Sequence, residues 1–341
     1  MRRVRFAPSP TGSLHVGNAL SAVANREFGD WFLLRIDDTD PRRNVPGGED
    51  AIVDYLGWLR VQWDEGPVRQ SERRSAYAGA AARLPTTEDP DGSLRFAGTT
   101  LMRPDGSATY QLASVVDDVE FGITHVIRGA DHRANEHLHR ALAEALGAPA
   151  PEYVHHGLIL GDDGRKLSKR APGATLAALR DDGIPPEAVR AYLEELGLPR
   201  HDVRYDLSRI RRLAVEAIAA MPDDELARRT DAPVELAGAL RGARDLNEAR
   251  EIARQILDPE PARVPEEGRP TLERFRELRE RANGGVDHEG ARSLLRELKA
   301  VGGDLRALRL ALTGQSRGPE LAAVVAALPK QEALRRVDAA L

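Results

Sequence analysis

The chain has no cysteine in its 341 residues, which excludes disulfides, thiol nucleophiles and cysteine-ligated zinc together. It has no stretch approaching the ~20 apolar residues of a membrane-spanning helix, so no membrane association is expected. The opening MRRVRFAPSP has no apolar run behind its arginines and does not read as a signal peptide, which points to a cytoplasmic protein. Histidines number only nine, and His137 and His139, two apart, point in different directions on a helix. No metal site is expected. A formal net charge of -5 gives no global attraction to nucleic acid, although local Arg and Lys patches can still meet phosphate. With 41% hydrophobic and 30% charged residues, the composition is that of a soluble globular protein, long enough for two or three domains.

The first two hundred residues alternate strand and helix signals. Val4 to Phe6 is a short β-type run that ends at Pro8-Ser9-Pro10, and a helix is expected from His15 to Phe28. WFLLRI (31–36) reads as a buried strand, and Ile52, Tyr55, Leu56 and Leu59 lie on one helical face. TYQLASVV (109–116), ITHVIR (123–128) and YVHHGLIL (153–160) read as further strands, with an amphipathic helix through Leu138, Leu142, Ala145 and Leu146. This alternation implies an α/β fold with a mostly parallel, doubly wound sheet, whose ligands bind beyond the carboxyl ends of the strands. The Pro-, Asp- and Gly-rich segment between Leu84 and Phe96 is a loop or short hairpin. Beyond about residue 200 the strand signals fade into helices, with breaks near Pro259–Pro270 and Asn283–Gly285.

Two segments carry chemistry. In FAPSPTGSLHVGNAL (6–20) a strand enters a Pro/Gly turn and then a helix whose first turn holds His15, Gly17 and Asn18. A helix start presents unpaired N–H groups and partial positive charge, which suit phosphate. His15 can donate to a phosphate whose charge grows in a transition state, and Gly17 permits close approach to the backbone. Taken alone, such a histidine is more often a cap or a packing residue. The second segment, GRKLSKR (164–170), sets Lys166 and Lys169 between Arg165 and Arg170, enough charge to surround a triphosphate.

His15-Val16-Gly17-Asn18 resembles the HIGH signature, and Lys166 to Arg170 the KMSKS signature, of class I aminoacyl-tRNA synthetases. RFAPSPTG, LRIDDTD, RQSER, TYQLASVVDD, VIRGAD, KLSKR and LRLALTGQSRGPEL occur in the order of a glutamyl-tRNA synthetase. The resemblance spans most of the chain. It implies a Rossmann-type catalytic domain over 1–200, with a KMSKS-type loop at 164–170, followed by an all-α tRNA-contacting and anticodon-binding region over 201–341. It further implies ATP with Mg²⁺, no zinc, and a monomer that activates L-glutamate as its adenylate and charges tRNA(Glu). His15, Asn18, Lys166 and Lys169 would be catalytic. ATP would meet His15, Gly17, Asn18, Lys166, Leu167, Ser168, Lys169 and Arg170. Glutamate would meet Arg5, Ala7, Ser9, Asp37, Tyr110, Ser114 and Arg128, with Asp37 on the α-ammonium and Asp131 facing the same region.

The chain departs from the family in four respects. The acceptor-binding insertion is reduced to a remnant at about 83–106. Asp37 stands where Glu is usual, Gln111 where His is usual, and Ser114 where Asn is usual. Three alternatives follow: a glutamyl-queuosine tRNA(Asp) synthetase-like paralogue, a glutamate-adenylating enzyme with another acceptor, and a catalytically silent tRNA-binding relative. The first usually lacks a helical carboxyl-terminal region and carries a cysteine-ligated zinc.

Overall fold

Short β-branched and aliphatic runs build the first half of the chain. In the computed structural model, which describes residues 1–260, 262–282 and 284–341, β1 (Arg3–Phe6) is followed by α1 (Val16–Phe28) and β2 (Trp31–Ile36), which pairs with β1 in parallel. Phe32, Leu33, Leu34 and Ile36 are all buried, as expected of a strand covered on both faces. Helix α2 (Gly48–Trp58) leads to β3 (Glu65–Arg69), parallel to β2. Its buried face is Ile52 and Leu56, with Leu59 just beyond its end.

After α3 (Arg74–Ala81) a small antiparallel meander forms from β4 (Thr87–Glu88), β5 (Leu94–Phe96) and β6 (Thr99–Met102). The expected strand at 109–116 is not one. These residues begin α4 (Tyr110–Glu120), because Leu112, Val115, Val116 and Val119 recur at helical spacing and the run lacks the alternation of a strand. β7 (His125–Gly129), α5 (Glu136–Ala145) and β8 (Glu152–His156) follow, β7 and β8 being parallel. The N–H of Thr124 donates to the carbonyl of Arg3 at 2.9 Å, setting β7 beside β1. The hydrogen-bonded sheets are β3-β2-β1 and β7-β8, and with β7 beside β1 the spatial order is β3-β2-β1-β7-β8. It reverses direction of growth between β1 and β7, the crevice where open α/β sheets take ligands.

The chain divides into two compact units, Met1–Asp181 with Val189–Leu207, and Asp182–Ala188 with Ser208–Leu341. The first closes with β9 (Ile159–Leu160), α6 (Leu176–Asp181), most of α7 (Pro186–Leu196) and β10 (Val203–Arg204), which pairs with β9.

In the second unit the regular structure is all helical among the described residues. Its helices are α8 (Leu207–Ala220), α9 (Asp223–Thr230), α10 (Ala237–Leu240), α11 (Leu246–Leu257), α12 (Arg269–Arg281), α13 (His288–Ala300), α14 (Leu305–Thr313), α15 (Leu321–Ala327) and α16 (Lys330–Ala340). They enclose one core that includes Leu240, Ile256, Leu272, Phe275, Leu308, Val324 and Val337. Buried Arg336 donates from Nη1 to the carbonyls of Ile256 and Leu312 at 2.6 and 2.7 Å, satisfying orphan groups at the ends of α11 and α14. The breaks expected near 259–270 and 283–285 fall between α11 and α12 and between α12 and α13; Pro261 and Asn283 within them lie outside the described residues. No described helix is long and apolar enough to cross a membrane.

Candidate active site

One cavity of about 680 Å³ opens at the carboxyl ends of β1 and β7. His15 lines it and is also the N-cap of α1: its Nδ1 accepts from the N–H groups of Gly17 at 3.0 Å and Asn18 at 3.3 Å. That use of the Nδ1 lone pair assigns the ring proton to Nε2. Burial, reinforced by the charges of Lys166 and Lys169, lowers the His15 pKa to about 4. The ring is therefore neutral at physiological pH, with Nε2–H free to donate. The capping and functional readings of this histidine are thus compatible. A Cβ on Gly17 would lie 2.8 Å from His15 Cε1, so a side chain there would push the ring away.

Backbone bonds tie the lysine segment to this helix start. Val16 N–H donates to Ala174 at 3.0 Å, and Leu176 N–H to Leu14 at 2.9 Å. At the other end Leu167 N–H donates to Ile159 at 2.9 Å and its side chain is buried. Lys166 and Lys169 both line the cavity with His15, Gly17 and Asn18. Lys166 Nζ contacts Asp131 Oδ2 at 2.5 Å. Burial tends to raise the Asp131 pKa, but the lysine bond and nearby charges win and hold it low. Ser168 and Arg170 do not line the cavity; the Ser168 hydroxyl accepts from the Arg170 N–H at 3.2 Å.

Around Arg5 and Asp37 the surroundings are ionic and buried. Arg5 Nε and Arg35 Nη1 both donate to Asp118 Oδ1, at 3.1 and 2.9 Å. Arg35, fully buried, also grips Asp37 with Nε and Nη2 at 2.7 and 3.3 Å, and reaches the Ser114 hydroxyl at 3.2 Å. Burial raises the Asp37 pKa despite that partner, while three carboxylates outweigh burial and raise that of Arg35. Arg5, Ala7, Ser9, Asp37 and Tyr110 line the cavity. Ser114 does not; it stands behind Arg35.

Arg128 also lines the cavity, and its surroundings differ in kind. Its Nε lies 3.3 Å from His155 Nε2, and its Nη1 lies 3.4 Å from both the Tyr110 hydroxyl and His139 Nδ1. Burial and the guanidinium's charge keep both imidazoles neutral, lowering His155 to about 4 and His139 to about 3. The ring of Tyr153 lies 5.0 Å from the guanidinium carbon. No carboxylate pairs with Arg128 among the described residues, and its buried Nη2 has no partner. Burial first, then repulsion from Arg5, lowers its pKa. A buried cation held only by neutral acceptors keeps its full charge for an anion.

Sequence reasoning passed over Arg35, Asp118, His139 and His155. Their motifs were in view, but their roles depend on neighbours remote in the chain. Arg103, from the loop after β6, also reaches the cavity wall. Among the described residues no cluster of three or more His, Cys, Asp or Glu could hold a metal ion.

The family model for tRNA synthetases class I (E and Q), catalytic domain, matches residues 1–86 and 93–214. The match breaks inside the segment that carries the β4–β6 meander. Among curated proteins the chain is similar to glutamate–tRNA ligase 1 of Rubrobacter xylanophilus, 34% identical over 423 aligned positions that cover 99% of this chain and 97% of the relative. It is also similar to glutamate–tRNA ligase of Akkermansia muciniphila, 31% identical, with 98% of each chain covered. Among solved structures it is similar in fold to a glutamate tRNA ligase from Elizabethkingia meningosepticum, with a TM-score of 0.77, 22% identity and 99% of each chain covered.

Proposed function

This chain belongs to the tRNA synthetases class I (E and Q), and we propose that within that family it is a glutamate–tRNA ligase. The observation that carries the choice of amino acid is Arg128: a buried cation, lacking a carboxylate partner among the described residues, in the same cavity as His15, Lys166 and Lys169. Arg5 and Arg128 receive the side-chain carboxylate, which their forks can meet with parallel hydrogen bonds. Tyr110 walls the niche, Ala7 and Ser9 add backbone and hydroxyl contacts, and Asp37 takes the α-ammonium. Ser114 acts through Arg35 and not by touching the substrate.

The α-carboxylate attacks the α-phosphorus of ATP, forming the mixed anhydride glutamyl adenylate as the bond to pyrophosphate breaks. A ribose hydroxyl at the 3′ end of tRNA(Glu) then attacks the carbonyl carbon and AMP leaves. His15 donates Nε2–H to phosphate oxygen, and Asn18, Lys166 and Lys169 add charge and hydrogen bonds where negative charge accumulates. Gly17 and Leu167 give the nucleotide backbone surface, with Ser168 and Arg170 shaping the loop. Bound with the nucleotide, Mg²⁺ would supply charge neutralisation to the triphosphate. With no cluster of metal ligands among the described residues, the ion would be carried chiefly by the nucleotide, and the lining carboxylates Asp40 and Asp131 would be the residues to assist it. Residues 201–341 contact the tRNA, and the protein works as a cytoplasmic monomer without zinc.

Glutamate-dependent exchange of pyrophosphate into ATP, measured with tRNA present and compared with glutamine and aspartate, tests the reading. Exchange with glutamate alone, followed by charging of tRNA(Glu), is expected; preference for glutamine or aspartate would sink it. The reduced segment 83–106 favours a second reading, adenylation for another acceptor. Exchange without any tRNA charging is the result that would select it.

A further inference from the structure

Gln111 stands outside the cavity wall, yet reaches the buried cation through a single intermediate. Its Oε1 lies 2.6 Å from His139 Nε2, and its amide nitrogen donates to Asn135 Oδ1 at 3.2 Å. An amide oxygen only accepts, so His139 Nε2 carries the ring proton and donates. The neutral ring has one such proton, which leaves Nδ1 as a lone pair. Arg128 Nη1, able only to donate, lies 3.4 Å from that Nδ1. Both contacts are satisfied in one tautomer only. With the proton moved to Nδ1, an N–H would face the guanidinium and the glutamine oxygen would face a bare nitrogen.

We propose that Gln111 is a positioning residue for the acidic amino acid: by holding His139 in its Nε2–H tautomer, it keeps an acceptor against Arg128 and fixes the guanidinium for the substrate carboxylate. This rests on the reading of Arg128 given above. A carboxylate in place of His139 would hold Arg128 equally well but would neutralise it. The preference for a charged over an amide side chain would then be lost. A neutral imidazole holds without neutralising. His155 does the same for Nε of the guanidinium, its own Nδ1 lying 3.5 Å from Glu136 Oε2. His139 is almost fully enclosed, so water does not substitute for the glutamine oxygen at its far side.

The test compares Gln111→Met and Gln111→His with the wild-type enzyme in glutamate-dependent pyrophosphate exchange with tRNA present. Methionine fills the space without an amide oxygen; histidine can offer a ring nitrogen to His139 Nε2–H. Gln111→Met is expected to raise the glutamate KM about tenfold, with kcat and the ATP KM within about twofold. Gln111→His is expected to bring the glutamate KM back to within about twofold of wild type. Nitrogen-15 spectra of histidine-labelled protein, assigned with His139→Gln, should report the Nε2–H tautomer in wild type and a mixture in Gln111→Met. An unchanged glutamate KM in Gln111→Met, a loss spread equally over both KM values and kcat, or an Nδ1–H tautomer in wild type overturns the proposal. Absence of glutamate-dependent exchange in the wild-type enzyme would instead sink the functional reading, leaving the tautomer measurement to judge Gln111 by itself.

Discussion

Two arginines, one of them lining the cavity, share a single buried carboxylate oxygen: Asp118 Oδ1 accepts from Arg5 and from Arg35. Removing one member of a buried ion pair strands its partner, at a cost of roughly 3–5 kcal/mol. Asp118→Ala should therefore lower stability by about that amount in urea unfolding, with Asp118→Asn less damaging because it keeps an acceptor oxygen. The neutral histidines give a pH signature as well. His15, His139 and His155 have folded pKa values of about 4, 3 and 4, below their ordinary 6.5. Between those limits the unfolded chain binds more protons, so stability is full above about pH 6.5 and falls as pH drops toward 4. Unfolding midpoints measured from pH 7 to 4 should show that decline, and His139→Gln, which loses one titrating group, should show a shallower one. Where a short segment carried the candidates, as with His15, Lys169, Arg5 and Arg128, sequence reading named residues that all line one cavity. Asp118 was not legible, because it meets Arg5 and Arg35 from 113 and 83 positions away.

At the level of the element, α1 is capped by the same imidazole to which the proposed mechanism gives a phosphate contact. His15→Asn offers a good N-cap oxygen in place of Nδ1 but no Nε2–H, whereas His15→Ala offers neither. Both variants should lower the exchange rate by about 10²–10³, as loss of a transition-state donor does. Only His15→Ala should also lose about 1 kcal/mol of stability, read by urea unfolding. Equal stability losses in the two would remove the cap from the account. The same element shows why sequence reading succeeded here and failed at α4. For α1 the turn residues Pro8, Pro10 and Gly12 marked the start and the polar first turn fixed its direction. TYQLASVV lacks such punctuation, and its apolar residues crowd so densely that strand and helix periods compete. Burial decides it, since Leu112, Ala113, Val115 and Val116 all enter the core that α3 and α5 complete.

For the whole molecule, the helical unit has its own enclosed core, and every ATP and glutamate contact proposed above falls in the other unit. Calorimetry should resolve two transitions, of which saturating ATP and glutamate raise one. At a hundredfold excess over Kd the gain is about 2.7 kcal/mol for that unit. A uniform shift of both transitions would contradict the assignment of the contacts. Sequence reading located the change from α/β to helix, and α7 and β10 continue the first unit slightly past the point where strand signals fade. The backbone bonds from Val16 to Ala174 and from Leu167 to Ile159 have a mechanical corollary. They pin the run 168–173 at both margins, so Lys169 travels on a short leash. Lengthening that leash by inserted glycines should slacken the phosphate contact proposed for Lys169, read as a raised ATP KM, with the glutamate KM unchanged.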